Sequence, residues 1–142
     1  MTIAAILEGK GHDVVSIDAE RTVTEAAALL SERRIGAVPV MQNGEVAGIF
    51  SERDVIHCLA KDGAAALGRP VRDVMTAPAI TVTRVESVLA ALALMTRRRI
   101  RHLPVVEGGR CIGLVSIGDL VKYRIDRIES DAEAMRAYIQ TA

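Results

Sequence analysis

Aromatic side chains are almost absent from this 142-residue sequence, which has one Phe, two Tyr and no Trp. A protein that binds RNA or single-stranded DNA by stacking bases on exposed rings needs that missing inventory. An excess of positive charge is missing too, because 18 basic residues balance 18 acidic ones. Both absences argue against a nucleic-acid partner, and 50% hydrophobic residues argue against disorder.

Cysteine motifs and long apolar runs are also missing. Cys58 and Cys111 stand alone without CxxC spacing, so the sequence predicts neither a zinc site nor a disulfide framework, and reduced thiols suit the cytoplasm. The densest apolar window, from Val88 to Met95, is too short to cross a membrane. We therefore expect a cytoplasmic protein with no metal site and no membrane partner.

Internal repetition is the strongest signal present. Pro39 and Pro104 lie 65 positions apart, and the same offset aligns much of both halves without a gap. The chain is therefore predicted to be a tandem duplication. The matched positions include Val23 with Val88, Ala26 with Ala91, Arg33-Arg34-Ile35 with Arg98-Arg99-Ile100, and Gly48, Ser51 and Asp54 with Gly113, Ser116 and Asp119.

Each half predicts the same order of elements: a short strand, a helix, a hairpin and a second helix. Apolar residues at i, i+3, i+4 and i+7 predict helices from Val23 and Val88. Asn43-Gly44 and Gly108-Gly109 are typical of type I′ hairpin turns. The predicted strands are residues 14–17, 37–41 and 46–50, then 79–82, 103–106 and 111–115.

These elements predict an α+β fold with two small, helix-covered sheets. Proline lacks an N–H donor, so Pro39 and Pro104 favour short or edge strands. A repeat of about sixty residues is marginal alone, so we expect the two to pack into one pseudo-symmetric module. The expected segments are an N-terminal segment packing on the module (1–13), the first repeat (14–60), a linker (61–76), the second repeat (77–124) and a C-terminal amphipathic helix (125–142). That last helix covers either its own module or a second subunit.

Four strings of residues in the two halves form a recognisable pattern. They resemble a tandem pair of cystathionine-β-synthase (CBS) domains, also called a Bateman module, from about Val14 to Arg124. The resemblance implies a regulatory module that binds adenosine-containing ligands (AMP, ADP, ATP or NAD) in clefts between the repeats and commonly forms a homodimer. With no catalytic domain on either side, the chain is similar to the stand-alone bacterial proteins of that family. The strings are Ile35-Gly36-Ala37-Val38-Pro39-Val40, Gly48-Ile49-Phe50-Ser51-Glu52-Arg53-Asp54, Arg101-His102-Leu103-Pro104-Val105-Val106 and Gly113-Leu114-Val115-Ser116-Ile117-Gly118-Asp119.

The two Ser-x-x-Asp motifs have two compatible roles. Ser51 and Ser116 are suited to cap the helices that follow, with Asp54 and Asp119 at the third helical position. The resemblance assigns the same aspartates to the ribose hydroxyls, with the serines beside them. A carboxylate that accepts two hydroxyl hydrogen bonds makes a strong directional contact.

The phosphate contacts are expected to differ between the repeats. The resemblance places Arg101 and His102 against the ligand phosphate, which an Arg fork and a titratable His both suit. A solvated basic edge is the alternative, and attraction to nucleic acid is a further one. The equivalent Gly36 and Ala37 offer only backbone N–H groups.

Arg53 is the candidate for the missing charge of the first repeat. It occupies the slot filled by Gly118 in the second repeat, at a helix N-terminus where anions are favoured. The alternative is an exposed Arg paired with Glu52 or solvent.

The resemblance places the adenine between aliphatic side chains contributed by the opposite repeat. The Asp119 site is expected to use Ile35 and the Ile17-Asp18 segment. The Asp54 site is expected to use Ile100 and the Val82-Thr83 segment. Ordinary core packing is the alternative for these residues.

No enzyme motif accompanies the repeat. A nucleophile elbow, a P-loop and a GxGxxG fingerprint are all missing, and His12 and His57 lack partners at catalytic or metal spacing. We therefore expect no reaction and no catalytic cofactor. The leading hypothesis is a signal-transduction module whose ligand alters dimer geometry or affinity for a regulated protein. The alternative is a ligand-free dimeric interaction scaffold, in which the Ser/Asp pairs only cap helices.

Overall fold

Two β-hairpins, one in each half of the chain, organise the fold of the computed structural model, which describes residues 1–11 and 13–141. His12, expected to be an ordinary surface or core residue, lies outside the described residues. Helices and strands of both halves follow the duplicated order that the sequence predicts. They are α1 (Ile3–Lys10), β1 (Ile17–Asp18), α2 (Val23–Arg33), β2 (Ala37–Gln42), β3 (Glu45–Ser51), α3 (Glu52–Asp62), α4 (Val88–Arg98), β4 (His102–Glu107), β5 (Arg110–Ser116) and α5 (Ile117–Thr141), with 3₁₀ turns at Gly63–Gly68 and Val71–Asp73.

The hairpin turns have the predicted geometry. Asn43 and Gly44 have φ values of 53° and 80°, and Gly108 and Gly109 have 58° and 79°. Positive φ at both central residues is what a type I′ turn requires. The two hairpins pair antiparallel in matching register, with a bulge after Val40 in one and after Val105 in the other.

Pro39 is not on an edge strand, which corrects the expectation from sequence. Strand β2 lies between β1 and β3 in a three-stranded sheet. The parallel pairing with β1 begins only at Val40, opposite Ile17. Because the ladder starts after Pro39, no neighbouring strand needs the missing N–H there.

The early strands are shorter than predicted. In the first half only Ile17–Asp18 is a strand, and in the second half only an isolated parallel bridge joins Val82 to Val105. Val82 donates to the Pro104 carbonyl at 3.0 Å and accepts from the Val106 amide at 2.9 Å. The residues that precede Ile17 and Val82 lie outside the sheets, and several of them line the clefts between the halves.

The two halves exchange covering segments. Helix α1 packs on the second half, where Ile3 is fully buried and Ile6 is 5% exposed. Conversely, Val71, just before the second half, is fully buried in the first core. Residues 61–76 are therefore a structural part of the first half and not only a linker.

Matching hydrogen bonds fix both segments. The Ile3 amide donates to the Glu86 carbonyl at 2.9 Å, and the Val71 amide donates to the Arg21 carbonyl at 2.7 Å. Glu86 and Arg21 are equivalent at the repeat offset of 65 residues. Helix α1 thus covers the core of the second half in the same way that residues 69–76 cover the core of the first half.

The final helix is continuous. Helix α5 runs from Ile117 to Thr141 and passes the predicted boundary at residue 125 without a break. Its first turns belong to the second core through Leu120, which is fully buried. The C-terminal amphipathic helix is therefore an extension of the last helix of the repeat.

Candidate functional site

Two clefts open where the halves meet, each beside the N-terminus of a helix that ends a repeat. The Asp54 cleft lies at the start of α3 and has a volume of about 360 Å³. The Asp119 cleft lies at the start of α5 and has a volume of about 420 Å³. Both volumes fall in the range of small-molecule sites.

Each cleft is lined by residues of both halves. The residues around the Asp54 cleft are Gly36, Ile49, Ser51, Glu52, Arg53, Asp54, His57, Thr76, Pro78, Ala79, Ile80, Arg99, Ile100, Arg101 and His102. Those around the Asp119 cleft are Leu7, Lys10, Gly11, Asp13, Val14, Val15, Arg34, Ile35, Gly36, Ala37, His102, Gly113, Leu114, Ser116 and Asp119.

Asp54 is held by a complete capping box. Its Oδ2 accepts from the Ser51 amide at 2.8 Å, while its own amide donates to Ser51 Oγ at 3.4 Å. The Thr76 hydroxyl donates to Asp54 Oδ1 at 3.0 Å. The capping role predicted from the sequence is confirmed, and the carboxylate keeps further lone pairs for a ligand.

Asp119 is held in the same way by Ser116 but has a cationic neighbour. Its Oδ2 accepts from the Ser116 amide at 2.8 Å, and its amide donates to Ser116 Oγ at 3.1 Å. Lys10 Nζ, at the end of α1, lies 2.7 Å from the same Oδ2 and also donates to the Leu114 carbonyl at 2.8 Å. A lysine ammonium therefore reaches into this cleft from the exchanged segment.

Lys10 and Thr76 make equivalent contacts in the two clefts. The Thr76 amide donates to the Ile49 carbonyl at 2.9 Å, and Ile49 is the counterpart of Leu114. The Lys10 ammonium thus replaces both the backbone N–H and the hydroxyl of Thr76. The result is a neutral partner for Asp54 and a positively charged partner for Asp119.

The electrostatic environment of Asp119 favours its ionised form. Burial alone raises the pKa of this carboxyl, but hydrogen bonds from Lys10 and Ser116 outweigh burial and bring the pKa below its ordinary value of 3.8. The ionised group therefore stabilises the fold above that pH, and this contribution is lost as the pH falls through the lowered pKa. At neutral pH the carboxylate is an acceptor only.

The basic residues are grouped differently from the sequence-based expectation. Arg101 lines the Asp54 cleft and not the Asp119 cleft. Arg53 lines the Asp54 cleft as predicted, but it adds to Arg101 and Arg99 there and does not compensate for a missing charge. The expectation failed because Arg101, which immediately precedes β4, lines the cleft of the opposite repeat.

Gly36 and His102 form the wall between the clefts. Both residues line both clefts, whereas Ala37 lines only the Asp119 cleft. A Cβ atom on Gly36 would lie 3.6 Å from His102 Nε2, which is ordinary van der Waals contact. His102 is therefore placed to face an anion in either cleft.

Two of the six predicted adenine residues line the clefts. Ile35 lines the Asp119 cleft and Ile100 lines the Asp54 cleft, each from the opposite repeat as expected. Ile17 and Val82 do not line the clefts, because both are buried in the cores, at 8% and 6% exposure.

The neighbours of Ile17 and Val82 are also away from the clefts. Asp18 accepts from the Glu20 amide at 2.9 Å within a turn, and the Thr83 carbonyl accepts from the Glu86 amide. The cleft walls come from residues two to four positions earlier: Val14 and Val15 on one side, Pro78, Ala79 and Ile80 on the other.

Burial controls the protonation of His102. Desolvation lowers the pKa of His102 below its ordinary value of 6.5, although the negative charges of Asp119 and Glu52 oppose the shift and Lys10 and Arg101 support it. The folded protein thus favours the neutral imidazole. Neutral His102 donates at one ring nitrogen and accepts at the other.

Stability should fall as the pH is lowered from about 6.5 toward the lowered pKa of His102. In that interval the unfolded chain binds the proton that the folded chain resists, so acid favours unfolding. Urea unfolding at several pH values between 5 and 7.5 measures the slope. His102→Gln should flatten it, and an unchanged slope in this variant would assign the effect to another group.

The cleft residues that the sequence did not predict include His57, Arg99, Thr76 and Lys10. His57 lies three positions after Asp54 on α3, a spacing that puts both on one helix face and was a usable signal. Arg99 is the left-handed C-cap of α4 with φ of 55°, next to Ile100. Lys10 precedes the first predicted repeat and Thr76 precedes the second. The alignment of the halves at an offset of 65 residues therefore gave no sign that either residue lines a cleft.

The described residues contain neither a metal-binding cluster nor a membrane-spanning helix. No group of three or more His, Cys, Asp or Glu side chains among residues 1–11 and 13–141 is arranged to hold a metal ion. Within the same residues no helix combines the length and apolarity that a bilayer crossing needs.

The chain is thus a module of two repeats that exchange covering segments, with one cleft beside Asp54 and one beside Asp119. The family model of the CBS domain matches residues 11–61 and again residues 71–126. The chain belongs to the CBS-domain family and is a CBS-domain pair, the regulatory module of that family. Each match begins before the predicted repeat, at residues 11 and 71 rather than 14 and 77.

Proteins similar to this chain match most of its length. A mitochondrial CBS domain-containing protein of Arabidopsis thaliana is 34% identical over 98% of this chain and 72% of its own length. The crystal structure of a CBS-domain-containing protein from Agrobacterium tumefaciens is 39% identical with a TM-score of 0.83, covering 87% of this chain and 99% of that one. A CBS domain protein from Pyrobaculum aerophilum, solved in complex with AMP, is 27% identical with a TM-score of 0.75 over 84% of this chain and 89% of its own. The predicted α+β fold and family resemblance are confirmed.

Proposed function

We propose that the two clefts bind adenosine-containing ligands of the AMP, ADP, ATP or NAD type and that occupancy regulates a dimer or a protein partner. The observation that carries the proposal is the composition of each cleft. A carboxylate at a helix N-terminus faces aliphatic side chains from the opposite repeat, with basic residues nearby. The AMP complex of the Pyrobaculum aerophilum relative supports this class of ligand.

The ribose hydroxyls are assigned to Asp54 and Asp119. Each carboxylate is fixed by its serine cap, so it accepts hydroxyl donors without losing further side-chain freedom. Ser51 and Ser116 stand beside the ribose. In the Asp54 cleft the Thr76 hydroxyl uses only Oδ1 of the carboxylate, at 3.0 Å.

The adenine is assigned to the aliphatic walls. Ile80, Ile100 and Pro78 supply the wall of the Asp54 cleft, and Ile35, Val14 and Val15 that of the Asp119 cleft. None of the described residues around either cleft is Phe, Tyr or Trp. The base is therefore held by apolar contact and backbone groups and not by ring stacking.

The Asp54 cleft is the better phosphate site. Arg53, Arg99 and Arg101 surround it beside the N-terminus of α3, where the helix dipole also favours an anion. The Asp119 cleft has Lys10 and Arg34, and the Lys10 charge is already engaged by Asp119. Ligands with more phosphate groups should therefore prefer the Asp54 cleft.

Regulation follows from linkage and requires no reaction. A ligand that binds one arrangement of the module more tightly shifts the population toward it by the difference in affinity. A homodimer and a regulated protein are the partners through which such a shift acts. The proposed compartment is the cytoplasm, where the free cysteines Cys58 and Cys111 stay reduced.

Calorimetric titration of the full chain with AMP, ADP, ATP and NAD tests the proposal. At least one ligand should bind, and Asp54→Asn should weaken the site about 10- to 100-fold, because hydrogen bonds to charged groups contribute about 1.5–3 kcal/mol. Arg101→Ala should weaken ATP more than AMP at the Asp54 cleft. Asp119→Asn is the matched variant for the second cleft.

The scaffold alternative predicts a different result. It predicts that no nucleotide binds. Asp54→Asn and Asp119→Asn should then only weaken the hydrogen bonds that these side chains accept from the Ser51 and Ser116 amides, and each should lower the free energy of unfolding by about 1 kcal/mol. Absence of binding by the whole panel, or equal binding by the wild type and both variants, would contradict the nucleotide assignment.

A further inference from the structure

The exposed apolar surface of the described chain is concentrated on α5. Large hydrophobic side chains on this helix that stay exposed include Val121 at 42%, Ile125 at 49%, Ile128 at 53%, Met135 at 60% and Ile139 at 67%. From residue 125 to 141 every position is exposed except the half-buried Ala132. The last 17 residues of the helix, about 25 Å long, therefore extend beyond the module without a cover.

The spacing of these side chains is a heptad repeat. Val121, Ile125, Ile128, Ala132, Met135 and Ile139 follow one another at intervals of four, three, four, three and four residues. These are alternating d and a positions, beginning with Val121 at d. A sustained a/d pattern forms a stripe that packs against another helix by knobs into holes. The occupant of the stripe is therefore a helix with the same pattern.

The charges beside the stripe specify which helix fits. At the g and e positions, Arg124 precedes Glu129 by five residues and Asp131 precedes Arg136 by five. In a parallel pair of identical helices, a g residue of one chain lies beside the e residue five positions later in the other. In the parallel pair, Arg124 of each chain then lies beside Glu129 of the other, and Asp131 of each chain lies beside Arg136 of the other. All of these pairs join opposite charges.

An antiparallel pair with full overlap is disfavoured by the same residues. It would place Glu129 opposite Glu129 of the second copy and Asp131 opposite Asp131 of the second copy. Within one helix, Asp131 has only a long contact with Arg127, at 4.0 Å. Both carboxylates are therefore more favourably placed in the parallel pair.

We propose that α5 pairs with α5 of a second copy of this chain as a parallel, in-register two-stranded coiled coil, with Val121, Ile125, Ile128, Ala132, Met135 and Ile139 as its seam. The inference rests on the homodimer of the proposed function but not on nucleotide binding. It assigns the C-terminal helix to the subunit interface and fixes the relative direction of the two modules.

Light scattering coupled to size exclusion tests the seam. The wild type should have twice the chain mass of 15.2 kDa. Ile128→Lys should give the monomer, whereas Ala134→Lys, the same change on an exposed outer face of the helix, should remain dimeric. A monomeric wild type, a trimer or tetramer, or a dimer that survives Ile128→Lys would each overturn the proposal. Survival of the dimer in Ile128→Lys leaves the homodimer itself standing, and nucleotide titration of the same samples reports separately on the clefts.

Cysteine cross-linking and a charge exchange test the direction of the helices. Under mild oxidation, Ile128→Cys should cross-link to itself, because a parallel seam places residue 128 opposite its own copy. Ala134→Cys and the unsubstituted chain should not.

The single substitution Arg124→Glu should weaken the dimer, because it places two negative charges side by side at positions 124 and 129. Adding Glu129→Arg restores the opposite charges and should restore the dimer. A staggered antiparallel pair, which brings Lys122 to Glu129 and Arg124 to Asp131, predicts instead that the double exchange is worse than the single one. That result, or equal cross-linking in both cysteine variants, would contradict the parallel arrangement.

Discussion

Removing residues 1–10 should lower the free energy of unfolding by about 3–6 kcal/mol, because two buried apolar side chains, each contributing about 1.5–3 kcal/mol, are lost with helix α1. These are Ile3 and Ile6, which belong to the same buried cluster as Met95 and Leu103. The loss is comparable to the 5–15 kcal/mol that stabilises a typical domain. The truncated chain should therefore be largely unfolded or melt far below the full chain.

Urea unfolding followed by circular dichroism measures this effect. Lys10→Ala is the control, since it removes the Asp119 ion pair but keeps the buried face of α1. It should cost far less than the truncation. A truncated chain with the midpoint of the full chain would show that α1 is only an appendage.

Gly48→Ala should destabilise the protein by about 1–3 kcal/mol, the usual cost of overpacking. A Cβ atom at Gly48 would lie 2.6 Å from the Thr76 carbonyl oxygen and 2.8 Å from Met75 Sδ. The Thr76 carbonyl accepts a hydrogen bond from the Ile49 amide, and the Thr76 amide donates to the Ile49 carbonyl. The Thr76 carbonyl therefore cannot move without breaking these two hydrogen bonds. Displacing Thr76 also breaks its hydroxyl contact with Asp54 and should weaken ligand binding in that cleft.

The equivalent substitution in the second half is a matched control. A Cβ atom at Gly113 would lie 2.5 Å from Leu7 Cδ2, the end of a flexible side chain, with the next atom at 3.5 Å. Rotation of Leu7 relieves this contact, so Gly113→Ala should cost less than half as much as Gly48→Ala. Equal melting temperatures for the two variants would contradict the argument.

Local sequence rules were sufficient for the repeated elements. The Asn43-Gly44 turn and the serine caps at Ser51 and Ser116 depend on neighbouring residues, and both formed as predicted. The offset of 65 residues also located both aspartates at helix starts. These features needed no knowledge of how the halves pack.

Packing between the halves decided what the sequence did not predict. Arg101 and Arg53 line one cleft because the residues just before β4 and the start of α3 border the same space between the halves, a relation invisible within one repeat. The early strands were predicted too long because Val14 and Val15 have strand-like composition, yet they serve as a cleft wall.

The exchanged segments were not recognised as part of the sequence repeat, because the offset between them differs from the offset of 65 residues between the two halves. Ile3 and Val71 are 68 residues apart and share no identity in their neighbourhood, so a gapless alignment at 65 passes over them. Their equivalence is visible only in the hydrogen bonds to Glu86 and Arg21. Lys10 belongs to the same segment, which is why the charged partner of Asp119 was not predicted.

Because the two halves exchange covering segments, neither half alone contains all the residues of its buried core. A chain cut between α3 and Val71 would yield two fragments, each lacking the piece that closes its core, so neither copy of the duplication is dispensable. The joined frame of the two halves nevertheless carries different cleft residues: Thr76 contacts Asp54 where Lys10 contacts Asp119, and Gly36 stands where the second half has Arg101.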